Sequence, residues 1–186
     1  MIFVSEKIQK KEIKENIIEV SQEVQVEIKN DLVILKKGND VLEVPFNHVY
    51  VSVKYEDGKI IVTPNNKKKT YTSVSNTLRK IINNTLLGFE KDYVCKMAIV
   101  YSHFPITVSL EGDKFTIKNF YGEKKPRVLK VPKDVKIDVK GREIIISGKD
   151  KQKVGQAAGN IESRTRMKKK DYRVFDDGIY IVEKSK

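Results

Sequence analysis

From Ile17 the chain alternates apolar and polar positions. Val24, Val26 and Ile28 point one way, and Gln25, Glu27 and Lys29 the other. Period two marks a strand with one face buried. Asn30-Asp31 supplies a tight turn, and Leu32 to Leu35 returns as a second strand. Gly38-Asn39-Asp40 turns the chain into Val41-Leu42-Glu43-Val44, which Pro45 stops because proline has no N–H for a ladder. Val49, Val51 and Val53 alternate again, Glu56-Asp57-Gly58 is a hairpin turn, and Lys59 to Thr63 follows as a strand. A polar lead-in over Met1 to Asn16 therefore precedes a meander of short strands.

After the basic loop Asn65 to Lys69 the period changes. Val74, Leu78, Ile81, Ile82 and Thr85 fall on one stripe of an α-helix. Thr72 or Ser73 is its expected N-cap, and Gly88 its expected C′ residue. Tyr93 to Tyr101 reads as a long apolar strand, and Ser102-His103-Phe104-Pro105 as a link.

The first pattern then recurs. V-E-I-K-N-D-L-V-I-L at Val26–Leu35 is echoed by V-S-L-E-G-D-K-F-T-I at Val108–Ile117, and V-L-E-V-P at Val41–Pro45 by V-L-K-V-P at Val128–Pro132. Both copies end in a helix. The second carries Val154, Ala157, Ala158, Ile161 and Thr165 on one stripe, with Asp150 as N-cap. The fold class is α+β: two homologous small domains, 1–88 and 89–186, each a mostly antiparallel sheet under one helix. Gly155 and Gly159 cost the second helix about 1 kcal/mol each against Ala. Tight packing of that face on the sheet is the expectation, with an RNA backbone as the alternative partner.

Charge sharpens this picture. The chain of 186 residues has a net charge of +12, so an anionic partner is expected. Residues 89–186 hold 23 Lys+Arg and 14 Asp+Glu, a net of +9, which leaves +3 for the first half. The run from Ser163 to Arg173 places Arg164, Arg166, Lys168, Lys169, Lys170 and Arg173 against one anion, Asp171. Lysines and arginines that meet phosphates release condensed counterions, so such a cluster suits a polyanion. Helical spacing puts Arg164 with Lys168 and Arg166 with Lys170. The loop Asn119 to Arg127 adds Phe120 and Tyr121 beside Lys124, Lys125 and Arg127, a mixture able to stack bases while holding phosphates. Lys67-Lys68-Lys69 reads as a solvated loop. Asp176-Asp177-Gly178 reads as a turn aiming the tail, with Phe175 and Ile179 as anchors of the final strand.

Other classes are poorly supported. One cysteine and two histidines argue against structural zinc. No phosphate-binding glycine signature and no H-E-x-x-H is present. No window approaches the roughly 18–20 apolar residues of a membrane span, and Glu6 and Lys7 end the first apolar run at once. Cys95 lies in an apolar run and reads as a buried thiol. A small hydrolase built on Cys95 and His103 is a weak rival, and a free-standing RNA-binding or ribonucleoprotein assembly module a stronger one. No cofactor, no metal, no membrane and no small-molecule substrate are expected.

Several segments resemble one family. Y-R-V-F-D-D-G-I-Y at Tyr172–Tyr180, G-Q-A-A-G-N-I-E at Gly155–Glu162, K-M-A-I-V-Y-S-H-F-P-I at Lys96–Ile106 and N-F-Y-G-E-K-K-P-R at Asn119–Arg127 are similar, in order, to the universal large-subunit ribosomal protein L-six family. The match is to its archaeal and eukaryotic branch, whose eukaryotic member is called L-nine. The resemblance implies a duplicated α+β fold and a non-enzymatic structural constituent of the large (50S) ribosomal subunit, cytoplasmic and acting in translation. It implies binding to 23S rRNA near the stalk base and the sarcin–ricin region, beside neighbouring large-subunit proteins. The expected rRNA-binding set is Arg164, Arg166, Lys168, Lys169, Lys170, Tyr172 and Arg173, with Lys124, Lys125 and Arg127.

Overall fold

The structure is a computed structural model that describes residues 16–21, 23–38, 40–167, 171 and 174–184. The lead-in before Asn16 lies outside the described residues. The chain divides into two compact units, Met1–Leu86 and Leu87–Lys186.

In the first unit, β1 (Asn16–Glu19), β5 (Val51–Glu56) and β6 (Lys59–Pro64) form a sheet in the order β1-β6-β5. A second sheet is β2 (Gln25–Lys29), β3 (Leu32–Lys37) and β4 (Asp40–Pro45), all antiparallel. Pro45 ends β4 as expected. Val49 does not join β5: its N–H donates to Asn47 Oδ1 at 2.9 Å in an Asx turn, and the side chain is exposed.

Helix α1 runs from Lys69 to Glu90, overrunning both predicted ends. Ser73 is no cap, since its hydroxyl donates to the Lys69 carbonyl at 2.9 Å inside the helix. Gly88 is no C′ residue either. It sits inside α1, and a Cβ there would lie 2.0 Å from the Lys149 carbonyl oxygen. The glycine is required by close approach, not by a left-handed φ. In the first unit Leu78 and Ile82 are buried with Ile18, Val51, Ile60 and Val62. Among them a polar relay is satisfied: Asn16 donates to Ser75 Oγ at 2.9 Å, and Ser75 Oγ to the Val62 carbonyl at 3.3 Å.

The second unit repeats this order with one addition. The strands β8 (Thr107–Glu111), β9 (Lys114–Lys118) and β10 (Arg127–Lys130) copy β2-β3-β4. The other sheet is β11 (Lys136–Lys140), β12 (Glu143–Gly148), β7 (Tyr93–Val100) and β13 (Gly178–Glu183), in that order. Its β11-β12-β7 portion matches β5-β6-β1, and β13 is the extra strand, antiparallel to β7.

Helix α2 (Lys151–Thr165) starts where its cap predicts, with Asp150 accepting from the N–H groups of Gln152 and Lys153. Its predicted stripe, Val154, Ala157, Ala158, Ile161 and Thr165, is the buried one. The core joins these residues to Met97, Phe115, Ile117, Phe120, Ile144, Ile146 and Ile179, and Cys95 lies within it as expected.

Candidate nucleic-acid interface

The cationic end of the second unit is built where α2 stops. Thr165 is the last helical residue, and Arg166 is already extended at φ −66° and ψ 128°. The helix stops before Arg166, and the expected pairings of Arg164 with Lys168 and Arg166 with Lys170 lie outside the described residues. Thr165 ends the helix usefully: its buried hydroxyl accepts from the Ile179 N–H at 3.1 Å and ties α2 to β13. Arg164 and Arg166 are exposed. Neither has an acidic partner among the described residues. Lys168, Lys169, Lys170, Tyr172 and Arg173 lie outside the described residues.

The loop Asn119–Arg127 approaches this helix end. It is not a tip with aromatics splayed toward bases. Phe120 is buried at 1% exposure, in a 3₁₀ turn (Phe120–Gly122). Hydrophobic burial of a ring outweighs its availability for stacking. Tyr121 is half-buried in a left-handed conformation, φ 51° and ψ 32°.

Arg127 is committed to the protein. Its guanidinium lies 4.1 Å from the Phe120 ring centroid, donates from Nε to Glu123 Oε2 at 2.8 Å, and from Nη1 to the Arg164 carbonyl at 2.6 Å. The Arg127 hydrogen bonds hold the Glu123 carboxyl below the ordinary carboxylate range, despite some desolvation. Arg127 thus caps the carbonyl end of α2 and neutralises Glu123. Lys124 and Lys125 stand exposed between them in sequence. Of the expected cations, Arg164, Arg166 and Arg127 come together around one cleft, with Arg127 bonded to the Arg164 carbonyl.

Local pattern places Asp177 in a turn, and the structure gives it a different role. The segment Phe175–Asp177 makes no turn: β13 begins at Gly178, and Asp177 is 1% exposed. Its carboxylate accepts from the Ser102 N–H at 2.7 Å and the His103 N–H at 3.4 Å, and faces His103 Nδ1 at 3.3 Å. Burial alone raises its pKa, but the Ser102 and His103 bonds outweigh it and hold Asp177 below the ordinary carboxylate value. His103 also stacks on Phe175, with ring centroids 5.4 Å apart. His103 is thus engaged by the tail, while Cys95 lies in the core.

The glycine face of α2 differs from expectation. Gly155 and Gly159 have nothing within 4 Å of an added Cβ. They do not pack on the sheet, whose contact is made by the Ala157–Ala158 side. Ser163 continues their spacing toward the cationic end. No group of three or more His, Cys, Asp or Glu able to hold a metal occurs among the described residues. No helix searched is long and apolar enough to cross a membrane.

Comparison with known proteins adds a family to this geometry. A family model described as ribosomal protein L6 matches residues 104–178. The large ribosomal subunit protein uL6 of Methanosarcina mazei is 38% identical over 168 residues, spanning 90% of this chain and 96% of its own. That of Methanococcus vannielii is 40% identical over 168 residues, spanning 90% and 92%. With identity of this order along nearly all of both sequences, the chain belongs to the ribosomal protein L6 family.

Proposed function

We propose that this chain is a structural, non-enzymatic constituent of the large ribosomal subunit that binds 23S rRNA through the end of its second unit. It acts in translation, in the cytoplasm, as its archaeal relatives' name implies. One observation carries the placement of the RNA surface. Arg164 and Arg166 are exposed without acidic partners among the described residues, while neighbouring Arg127 and Glu123 cancel each other. Unpaired cations on a folded rim are what phosphate contacts require. The bare backbone face at Gly155 and Gly159 supports it, since a helix without side chains admits an RNA backbone closely. A position near the stalk base and sarcin–ricin region, beside neighbouring ribosomal proteins, follows from the family resemblance.

The test is binding of the full chain to large-subunit rRNA across a salt series. Reversing Arg164 and Arg166 to Glu is expected to weaken binding and to flatten the log–log salt slope by about 0.7–0.9 per lost contact. The same reversal at Lys67–Lys69 is the control. If the control costs more, the RNA surface is elsewhere. A chain sedimenting away from the large subunit in lysate would favour the free-standing module.

A further inference from the structure

Resting on the RNA-binding reading above, we infer that the cleft between the 3₁₀ turn and the end of α2 takes a single unpaired nucleotide of the RNA. The cleft measures about 580 Å³. That lies within the range of about 300–1,000 Å³ occupied by small-ligand clefts, and a phosphate contact surface alone needs no such hollow. Its walls differ in chemistry. Its lining divides into polar Ser163, Arg164 and Arg166 and more apolar Tyr121 and Met167, both half-buried. Glu123 also lines it, but as the partner of Arg127 it presents no net charge. The net charge facing the cleft is therefore that of Arg164 and Arg166.

That division matches an extruded nucleotide, with its phosphate on the arginines and its base against Tyr121 and Met167. A double-stranded segment keeps its bases stacked and cannot offer one to a hollow of this kind. The backbone is set for the task at a cost. Tyr121 holds a left-handed conformation that non-glycine residues rarely adopt, next to Phe120 in the core. Strain of this kind persists where the surroundings impose it and clusters at ligand sites. Arg127 makes the cleft hospitable to an anion, because it covers the Arg164 carbonyl that would otherwise turn the negative end of α2 toward it.

The test uses the full chain and two short RNA duplexes, identical except for one unpaired adenosine bulge, at low salt where any duplex is held electrostatically. The bulged duplex is expected to bind about tenfold more tightly, the worth of one base stacked on a side-chain platform. Ser163→Glu, at an exposed helix position in the cleft lining, should abolish that preference and, by setting a carboxylate beside the arginines, weaken both duplexes. Met167→Ala should reduce it. Equal affinity of the wild-type chain for the two duplexes overturns the inference, as does a preference that survives both substitutions. If neither duplex binds, the RNA-binding reading itself fails, a result distinguishable from the other two.

Discussion

Asp177 and Gly88 show how single residues fix the second unit. Removing the buried Asp177 carboxylate leaves the N–H groups of Ser102 and His103 without their acceptor. Asp177→Ala is expected to cost about 1–3 kcal/mol, read from urea midpoints. The pH dependence has a definite sign. Because the folded pKa lies below the ordinary value, the stabilisation is complete above about pH 4 and is lost as the pH falls through the folded pKa. The stability difference between wild type and Asp177→Asn should therefore shrink from pH 6 to pH 3, and a constant difference would show that ionisation is not involved. At Gly88 the constraint is space. Gly88→Ala drives a Cβ into the Lys149 carbonyl and should destabilise by about 1–3 kcal/mol.

The two helices obey different rules on their two faces. In α2 the Asp150 cap and the Val154–Thr165 stripe set start and orientation, and near-neighbour chemistry is enough to predict both. Its glycines invert the expectation of packing. With open space around it, Gly159→Ala should stabilise the chain by about 1 kcal/mol through helix propensity. The same substitution should weaken rRNA binding if RNA approaches that backbone. A melting temperature that falls would instead reveal a packed partner. The contrast with Gly88→Ala, measured in the same assay, separates a glycine kept for an internal neighbour from one kept for an external one. The loop before β10 makes a similar point. Phe120 is core and Arg127 is a helix cap, so a segment rich in aromatics and cations is chiefly a support.

At the scale of the molecule, the two units carry the same strand order, and only the second adds β13. The second unit has its own continuous core from Tyr93 to Ile179. A fragment of residues 87–186 is expected to unfold cooperatively when isolated. Non-cooperative melting would mean that it borrows stability from the first unit.

What the sequence determined by itself was local or repeated. Period two placed the strands, period 3.6 and Asp150 placed α2, and the echo of V-L-E-V-P in V-L-K-V-P exposed the duplication. Each of these follows from residues a few positions apart, whose geometry the backbone fixes. The tertiary structure decided the rest. Asp177 meets Ser102 across 75 positions, and Arg127 meets the Arg164 carbonyl across 37. No local pattern encodes such partners, so in sequence the Asp177 clamp looks like a turn and the Arg127 cap like a phosphate contact. The cleft has the same origin, because its walls come from two segments that only folding brings together.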